Sequence, residues 1–314
     1  MIVGLDGFDP DVLVNLQAFY AGCGFHVSVS RTVQDAELLV IQRGAYQPGQ
    51  VFEVRASECH IYDYVFNGVS DLHAAFPNVP RVIVIAPSGC ASGAARPPRL
   101  VQGFHPVVPQ LWASRAPGGH RPFRVVHIGH RKDPPSDPWQ REVQALAADG
   151  LCHFWGRGWL ALSPSPAAEG RLHGPTSLHE TQGIYRRSHY ALGVMHGFQR
   201  GNTISGRMWQ APLNGCHLLT EAMLPNVDLP GVHVVDNFRS AVDDPQRGAP
   251  PEELVEAASD YWGAATRQLA LKLGCLYRPL SRAGLGALYG RYVYFRHVKL
   301  VAERIQQRRR GQLT

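Results

Sequence analysis

The sequence predicts an α/β protein built on parallel sheets, and two observations indicate this fold. The chain has 314 residues, of which 45% are hydrophobic, which is enough for two domains with cores of their own. The segment between residues 123 and 236 repeats the order strand, loop, helix, strand. Because parallel strands need a crossover connection between them, this repeat is typical of βαβ units.

The clearest βαβ unit opens with the apolar segment FRVVHIG at 123–129, which predicts a strand. After a polar loop, a helix is predicted at 137–149, because Pro138 suits its first turn and Gly150 suits the position after its end. The next strand is predicted at 151–156. Parallel sheets of this kind bind ligands at the carboxyl ends of their strands, so we expect the site in these loops.

The loops that follow the predicted strands are rich in positive charge. Cations at the ligand-binding edge of a sheet favour an anionic ligand. The residues that carry this charge are Arg131, Lys132, Arg157, Arg200 and Arg207.

The first half of the chain predicts a second Rossmann-like layer, although its pattern is less regular. A helix is expected over 10–21, and a long surface loop and a linker are expected within the segment 87–122, which is rich in Pro, Gly and Ala. Strands are predicted from apolar runs at 26–29, 37–41, 60–66 and 81–86.

Four motifs occur in the second half of the chain: HIGH at 127–130, FWGRGW at 154–159, YRRS at 185–188, and the segment from Ile204 to Glu221. Together they resemble motifs of the spore-maturation (CgeB-like) group of GT-B glycosyltransferases. This resemblance implies two Rossmann-like domains that face each other across a cleft, followed by a C-terminal helical tail. The implied domains are an acceptor-side domain at 1–118, a nucleotide-sugar domain at 119–251, and a crossover helix with a basic tail at 252–314.

The segment 201–215 predicts a helix that binds an anion. Thr203 or Ser205 can cap a helix that runs to about Leu213, and the free backbone N–H groups at its start would attract a diphosphate. Arg207 lies in the first turn, where a cation is disfavoured unless an anion is bound. An exposed arginine that points away from the site is the alternative.

The resemblance implies a role for each residue of the site. The donor diphosphate would contact this helix and the loop after the first strand, and Gln210 would hold the donor ribose at a position where the family has Glu. An amide offers one acceptor and one donor, so it binds a diol more weakly than a carboxylate does. The implied diphosphate contacts are Gly129, Arg131, Lys132, Thr203, Ser205, Gly206 and Arg207, and Leu172 and His173 lie in the region implied for the base.

We therefore expect a glycosyltransferase that moves a sugar from a nucleotide diphosphate sugar to an unknown acceptor, such as a glycan. The resemblance implies retention of the anomeric configuration, without metal or a separate cofactor. The leaving phosphate can take the acceptor proton itself, which fits a sequence that identifies no catalytic side chain. The alternatives left open are a sugar-nucleotide epimerase with this fold and a catalytically silent binding protein, for which Gln210 would be the sign.

Several other motifs are explained better by structural roles than by catalysis or metal binding. Asp9 and Asp11 form a D-x-D sequence, which we interpret as the acidic start of a helix. His127 and His130 are three residues apart, a spacing that does not place both on one face of a strand. The histidines and the six scattered cysteines form no zinc motif, so we predict no metal site and free, buried thiols such as Cys152 and Cys216.

The net positive charge of the chain comes from its C-terminal segment. Residues 261–314 have a net charge of +10, whereas the whole chain has +6. The segment 285–314 has apolar residues at three- and four-residue spacing, which predicts a basic amphipathic helix that either lies on an anionic membrane surface or packs on the first domain. The chain shows no secretory signal and no nucleic-acid motif, so we expect a cytoplasmic protein, peripheral at most to the inner face of a membrane, that does not bind nucleic acid.

Overall fold

The computed structural model divides the chain into two compact units. The first comprises Met1–Leu111, Asn202–Ile204 and Trp262–Tyr289, and the second comprises Trp112–Gly201, Ser205–Tyr261 and Gly290–Thr314. The residues that the structure describes are 2–6, 10–28, 36–42, 51, 54, 56–62, 75–86, 99–113, 119–131, 135, 137–162, 165–195, 200, 204–243, 249–291 and 293–294.

The first unit is built on a sheet of six parallel strands in the order β2-β1-β3-β4-β5-β6. Helix α1 (Pro10–Gly22) lies between β1 and β2, and helix α2 (Pro109–Trp112) follows β6. The strands are β1 (Ile2–Asp6), β2 (His26–Ser28), β3 (Leu38–Gln42), β4 (Glu58–Tyr62), β5 (Arg81–Ala86) and β6 (Arg99–Gln102).

Most of the predicted elements of this unit are confirmed, but the prediction of a long loop and linker at 87–122 is wrong in part. Strand β6 and helix α2 lie within that range. The strand is the edge of the sheet, and only Val101 of its four residues is buried. A strand with one buried side chain has no apolar run, and sequence patterns therefore miss it. Strand β1 was also not predicted.

Alternating side chains of the first sheet pack into two apolar clusters. Leu38 and Val40 contact helix α1, whereas Leu39 and Ile41 belong to the opposite cluster. The first cluster also contains Leu269 and its neighbours near the end of helix α7 (Pro251–Lys272), a helix that begins in the second unit and ends in the first. Both faces of the sheet are therefore buried, as expected for a parallel sheet.

The second unit contains six parallel strands in the order β9-β8-β7-β10-β11-β12. The chain starts at the centre, runs to one edge, and returns to the other side of its first strand. This is the strand order of Rossmann folds, in which the ligand binds where the order reverses. The elements are β7 (Phe123–Ile128), α3 (Pro138–Ala148), β8 (His153–Trp155), β9 (Leu172–His173), α4 (Leu178–Arg186), β10 (Ser188–Gly193), α5 (Arg207–Gln210), β11 (His217–Thr220), β12 (Val232–Val234) and α6 (Phe238–Asp243).

Local signals explain where the helices of this unit begin and end. The Asp137 side chain accepts a hydrogen bond from the backbone N–H of Gln140 at the start of α3, and Gly150 has a φ of 65° after its end. Ser177 and Glu180 form a capping box at the start of α4. These boundaries agree with the sequence because capping is determined within a few residues.

The C-terminal segment is described only in part. Residues 282–291 are helical, and Leu285 is buried. Residue 292 and residues 295–314 lie outside the described residues, so most of the predicted amphipathic helix at 285–314 stays a prediction. Among the described helices, none is both long enough and apolar enough to cross a membrane.

Cysteines in the described part of the chain are free thiols. Cys152 and Cys216 are buried, as predicted, and burial raises the pKa of the Cys152 thiol to about 12. Cys90 lies outside the described residues.

Candidate functional site

A cavity of about 130 Å³ opens where strands β7 and β10 lie side by side at the centre of the second sheet. This is the position at which the strand order reverses, so the cavity lies where Rossmann folds bind their ligands. A cavity of ~150 Å³ holds one benzene ring, so this cavity suits a single phosphate or one sugar ring rather than a whole sugar nucleotide. Its lining residues are His127, His130, Gln140, Val143, Gln144, Trp159, Val194, Met195 and Arg207.

The floor of the cavity depends on close packing between the loops after β7 and β8. The indole N–H of Trp159 donates to the carbonyl of Gly129 over 2.7 Å, and Gly129 itself donates to the carbonyl of Trp155 over 2.9 Å. Gly156 has a φ of 141° and lies so close to the carbonyl of Gly129 that a side chain has no space there. The motif FWGRGW therefore has a physical explanation. Its first glycine, Gly156, permits the close approach to Gly129, and its second tryptophan, Trp159, holds the loop after β8 against Gly129.

Arg207 joins the two central strands at the cavity. Its Nε donates to the carbonyl of Ile128 over 2.9 Å, and its Nη1 donates to the carbonyl of Val194 over 2.8 Å. A Cβ at Gly129 would lie 2.5 Å from Nη2 of Arg207, so the absence of a side chain leaves room for the guanidinium. The alternative of an exposed arginine that points away is wrong, because Arg207 is partly buried and lines the cavity.

Among the residues that the structure describes, the cavity lining contains a guanidinium and no carboxylate. Two nearby acids, Asp137 and Glu221, share one arginine, so this group of three side chains keeps one net negative charge. Arg200 contacts Asp137 over 2.8 Å and the buried carboxylate of Glu221 over 3.1 Å, and that carboxylate also accepts from the backbone N–H of Met195 over 2.7 Å. Among the described lining residues, the charge that an anion in the cavity would meet is therefore that of Arg207.

This ion-pair network corrects the set of cations predicted for the ligand. Arg200 was expected among the anion-binding residues, but its guanidinium already bridges two carboxylates. Partial burial lowers the pKa of Arg200, but the hydrogen bonds and charges of the two carboxylates together outweigh burial, so the pKa is raised above its ordinary value. We conclude that Arg200 organises the loops after β7, β10 and β11 and does not contribute a net charge to the site.

His127 is buried beneath the cavity and is neutral at physiological pH. Its Nδ1 lies 3.1 Å from the carbonyl of Leu192, which can only accept, so Nδ1 carries the proton. Burial, followed by the charge of Arg207, lowers the pKa of His127 to about 3. The ring packs edge to face on Trp159 at 5.6 Å between ring centroids.

His127 and His130 were expected on different faces, yet both line the cavity. The reason is that β7 ends at Ile128, so His130 belongs to the loop and strand alternation no longer applies to it. Nδ1 of His130 accepts from the backbone N–H of Arg157 over 3.2 Å. In the neutral ring the proton of His130 is therefore on Nε2. No group of three or more metal-ligating side chains occurs among the described residues.

The helix predicted from Thr203 or Ser205 to Leu213 is wrong in its start and length. Only Arg207–Gln210 is α-helical, and a 3-10 turn at Pro212–Asn214 follows, because Pro212 has no N–H to continue the helix. The N-cap is Gly206, and no side chain caps the helix. A helix of four residues has little macrodipole, so an anion here depends on the Arg207 side chain rather than on the helix start.

The other predicted site residues that the structure describes are not among those that line the cavity. Arg131 donates its backbone N–H to the carbonyl of Arg157, which keeps it in the loop after β7. The hydroxyl of Ser205 is buried and has no hydrogen-bond partner within the described part of the chain. Gln210 is only 7% exposed, and its amide lies beside Gly206. Lys132 and Thr203 lie outside the described residues.

The region predicted for the base is a strand rather than a loop. Leu172 and His173 form β9, the edge strand, which pairs with β8. The ring of His173 stacks on Trp155 at 4.3 Å, and burial lowers the pKa of His173. The sequence analysis did not predict this strand, because two residues are too short for a strand pattern to be visible.

Sequence reasoning also missed several lining residues. Gln140 and Gln144 lie one turn apart on α3, and a spacing of four residues places them on the same face of the helix. That spacing was the available signal for these two residues. Trp159 was noted only as part of a motif, and no sequence signal shows that its indole turns back to Gly129.

Comparisons with known proteins agree with this architecture. Neither a scan against protein-family models nor a search of curated proteins finds a match, so the resemblance to the CgeB-like group stays a prediction. A search of solved structures finds T4 phage BGT in complex with its UDP-glucose substrate, at 12% identity and a TM-score of 0.51, covering 87% of this chain and 98% of that one. It also finds the DNA modifying enzyme beta-glucosyltransferase, at 13% identity and a TM-score of 0.53, covering 87% of this chain and 98% of that one. AviGT4, a glycosyltransferase involved in avilamycin A biosynthesis, is similar at 13% identity and a TM-score of 0.51, covering 94% of this chain and 98% of that one. At this level of identity the similarity establishes the fold, and the chain has the α/β architecture of GT-B glycosyltransferases, with two units that each contain a parallel sheet.

Proposed function

We propose that the protein is a glycosyltransferase that binds a nucleotide diphosphate sugar at the cavity between β7 and β10. The observation that carries this proposal is the guanidinium of Arg207 in a cavity whose described lining residues include no carboxylate, at the position where the strand order reverses. Solved structures of the same fold support it, since one of them is a complex with UDP-glucose. The acceptor would bind to residues 1–118, and its identity is not encoded in any motif.

Arg207 would act on the leaving group. Departure of the nucleotide leaves negative charge on its β-phosphate, and a guanidinium that is already held in place stabilises this charge without reorganisation. The carbonyls of Ile128 and Val194 supply that preorganisation. Transfer with retention and without metal fits this arrangement, because the leaving phosphate can accept the proton of the acceptor.

Replacement of Arg207 tests the location of the diphosphate. We expect Arg207→Ala to weaken binding of UDP or GDP by about 10- to 100-fold, because a hydrogen bond to a charged group contributes about 1.5–3 kcal/mol. The matched control is Arg239→Ala, an exposed arginine that pairs with Asp149 on another part of the same unit. Titration calorimetry measures both. Equal affinities for Arg207→Ala and the parent would place the diphosphate elsewhere.

Gln210 distinguishes an active enzyme from a silent homologue, the second candidate function. If Gln210 holds the donor ribose, Gln210→Glu should keep turnover and tighten donor binding by about fivefold, because a carboxylate accepts from both hydroxyls of the diol. Gln182→Glu, at another buried glutamine, controls for the cost of a buried charge. The measurement is nucleotide release from a panel of sugar nucleotides. Absence of turnover by the parent and by Gln210→Glu would favour the silent homologue.

A further inference from the structure

His127 and Arg207 present opposite hydrogen-bonding character to the cavity. Arg207 can only donate, whereas the Nε2 atom of His127 carries a lone pair, because its proton is on Nδ1 and donates to Leu192. Among the described residues, no hydrogen bond to Nε2 of His127 is present. The low pKa of His127 keeps this lone pair available at neutral pH.

These two groups are neighbours in space. A Cβ at Gly129 would lie 2.9 Å from Nε2 of His127 and 2.5 Å from Nη2 of Arg207. Gly129 has no such atom, so the two groups face the same small space at the end of β7. A ligand that enters this space meets a cation and an acceptor side by side.

The diphosphate of a sugar nucleotide, which has no P–OH group at neutral pH, does not satisfy both groups. Its oxygens accept from Arg207, but they would face the lone pair of Nε2, which can only accept. Nε2 of His127 needs a ligand group that donates a hydrogen bond. In a sugar nucleotide, the donors that lie next to the diphosphate are the hydroxyls of the sugar. The cavity volume of about 130 Å³ suits one ring or one phosphate, so only a small portion of the ligand enters it.

We propose that His127 is a specificity-determining residue that accepts a hydrogen bond from a hydroxyl of the transferred sugar, next to the diphosphate held by Arg207. This inference rests on the proposed function, since it assumes a sugar nucleotide at the cavity. It assigns to His127 recognition of the sugar rather than of the nucleotide. The ribose is the other part of the ligand that has hydroxyls. Because UDP and UDP-glucose both contain the ribose and only UDP-glucose contains the sugar, comparing the two ligands separates a contact with the ribose from a contact with the sugar.

The test compares UDP with UDP-glucose by titration calorimetry, with GDP, dTDP and their glucose esters as further probes. In His127→Phe we expect the affinity for the free nucleotide to change by less than about threefold, and the affinity for the sugar nucleotide to fall about tenfold or more, as expected for a buried hydroxyl without an acceptor. His127→Gln restores an acceptor near the position of Nε2 and should recover most of this loss. His233→Phe, at a half-buried histidine outside the cavity lining, is the matched control and should change neither affinity.

An equal loss for UDP and UDP-glucose in His127→Phe would overturn the inference, because the ring would then support Arg207 or the ribose instead. If His127→Phe does not fold, the parent protein gives a second measurement with monodeoxy analogues of the glucose unit. One of these analogues should bind about tenfold more weakly than UDP-glucose, and uniform affinity across the series would also overturn the inference. Failure of every nucleotide to bind the parent would instead refute the proposed function, and with it the role of His127.

Discussion

Gly156→Ala is expected to destabilise the second unit by more than about 3 kcal/mol and to abolish nucleotide binding. An alanine Cβ at this position would overlap the carbonyl oxygen of Gly129, and backbone atoms cannot rotate away as the end of a long side chain can. The φ of 141° adds strain, since residues with a side chain pay about 1–3 kcal/mol in such regions. The loop after β7 would separate from the loop after β8, which breaks the hydrogen bond of Trp159 to Gly129.

Urea denaturation of Gly156→Ala and of Gly183→Ala measures this effect. Gly183 lies in helix α4 with no atom within 4 Å of its added Cβ, and alanine in a helix is favoured over glycine by about 0.5–1 kcal/mol. The control should therefore keep or raise the free energy of unfolding. Stability of Gly156→Ala equal to the parent would show that the two loops do not pack as described.

Acid is expected to unfold the protein well above the pH at which most carboxylates protonate. His105 and His127 are among the buried histidines of the described residues, and burial lowers the pKa of His105 to about 4 and that of His127 to about 3. Both folded values lie below the unfolded value of about 6.5. The contribution of each histidine is fully present above pH ~6.5, and it is lost as pH falls toward the folded pKa, because the unfolded chain binds protons first.

Each buried histidine adds a slope of about 1.4 kcal/mol per pH unit, so the pair lowers the free energy of unfolding by nearly 3 kcal/mol per unit below pH ~6.5. Over two units this loss is comparable to the total stability of a typical domain, about 5–15 kcal/mol. The folded and unfolded pKa values define a window of about pH 4–6.5. Equilibrium denaturation at about pH 7, 6, 5 and 4.5 measures how the free energy of unfolding changes with pH across this window.

The matched variants for the acid experiment are His105→Phe and His120→Phe. His105→Phe removes one buried titrating group, so its slope should be shallower by about 1.4 kcal/mol per pH unit, whatever its stability at pH 7. His120 is exposed, and its replacement should leave the slope as it is. A parent protein whose unfolding free energy does not change between pH 6.5 and 4.5 would show that these histidines are not buried in the neutral form.

The sequence predicted the elements of the second unit better than its site. Helix α3 begins and ends as predicted, because Asp137, Pro138 and Gly150 act within a few residues of the chain. Helix α5 was predicted too long, because the prediction relied on capping residues and left out Pro212, which ends the α-helix and starts a 3-10 turn. Strands β6 and β9 were missed, since one is a mostly exposed edge and the other has two residues.

The sequence shows which residues of the site carry positive charge, but it does not show which groups those residues contact. Both Arg200 and Arg207 were predicted to face an anion, and they differ only in their partners. Arg200 meets Asp137 and Glu221, whereas Arg207 meets two backbone carbonyls and keeps its charge for the cavity. Nothing in the loop sequences distinguishes the two arginines.

The sequence by itself therefore determined the α/β class, the positions of six of the twelve described strands, and a concentration of positive charge in the loops of the second half. Only the tertiary structure decided that β7 and β10 are neighbours, that Arg207 and His127 share the space left by Gly129, and that Arg200 is neutralised. The physical reason is separation along the chain. Capping and strand alternation act over a few residues, whereas Arg207 reaches a carbonyl 79 positions away and His127 one that is 65 positions away, and such contacts form only when the sheet is assembled.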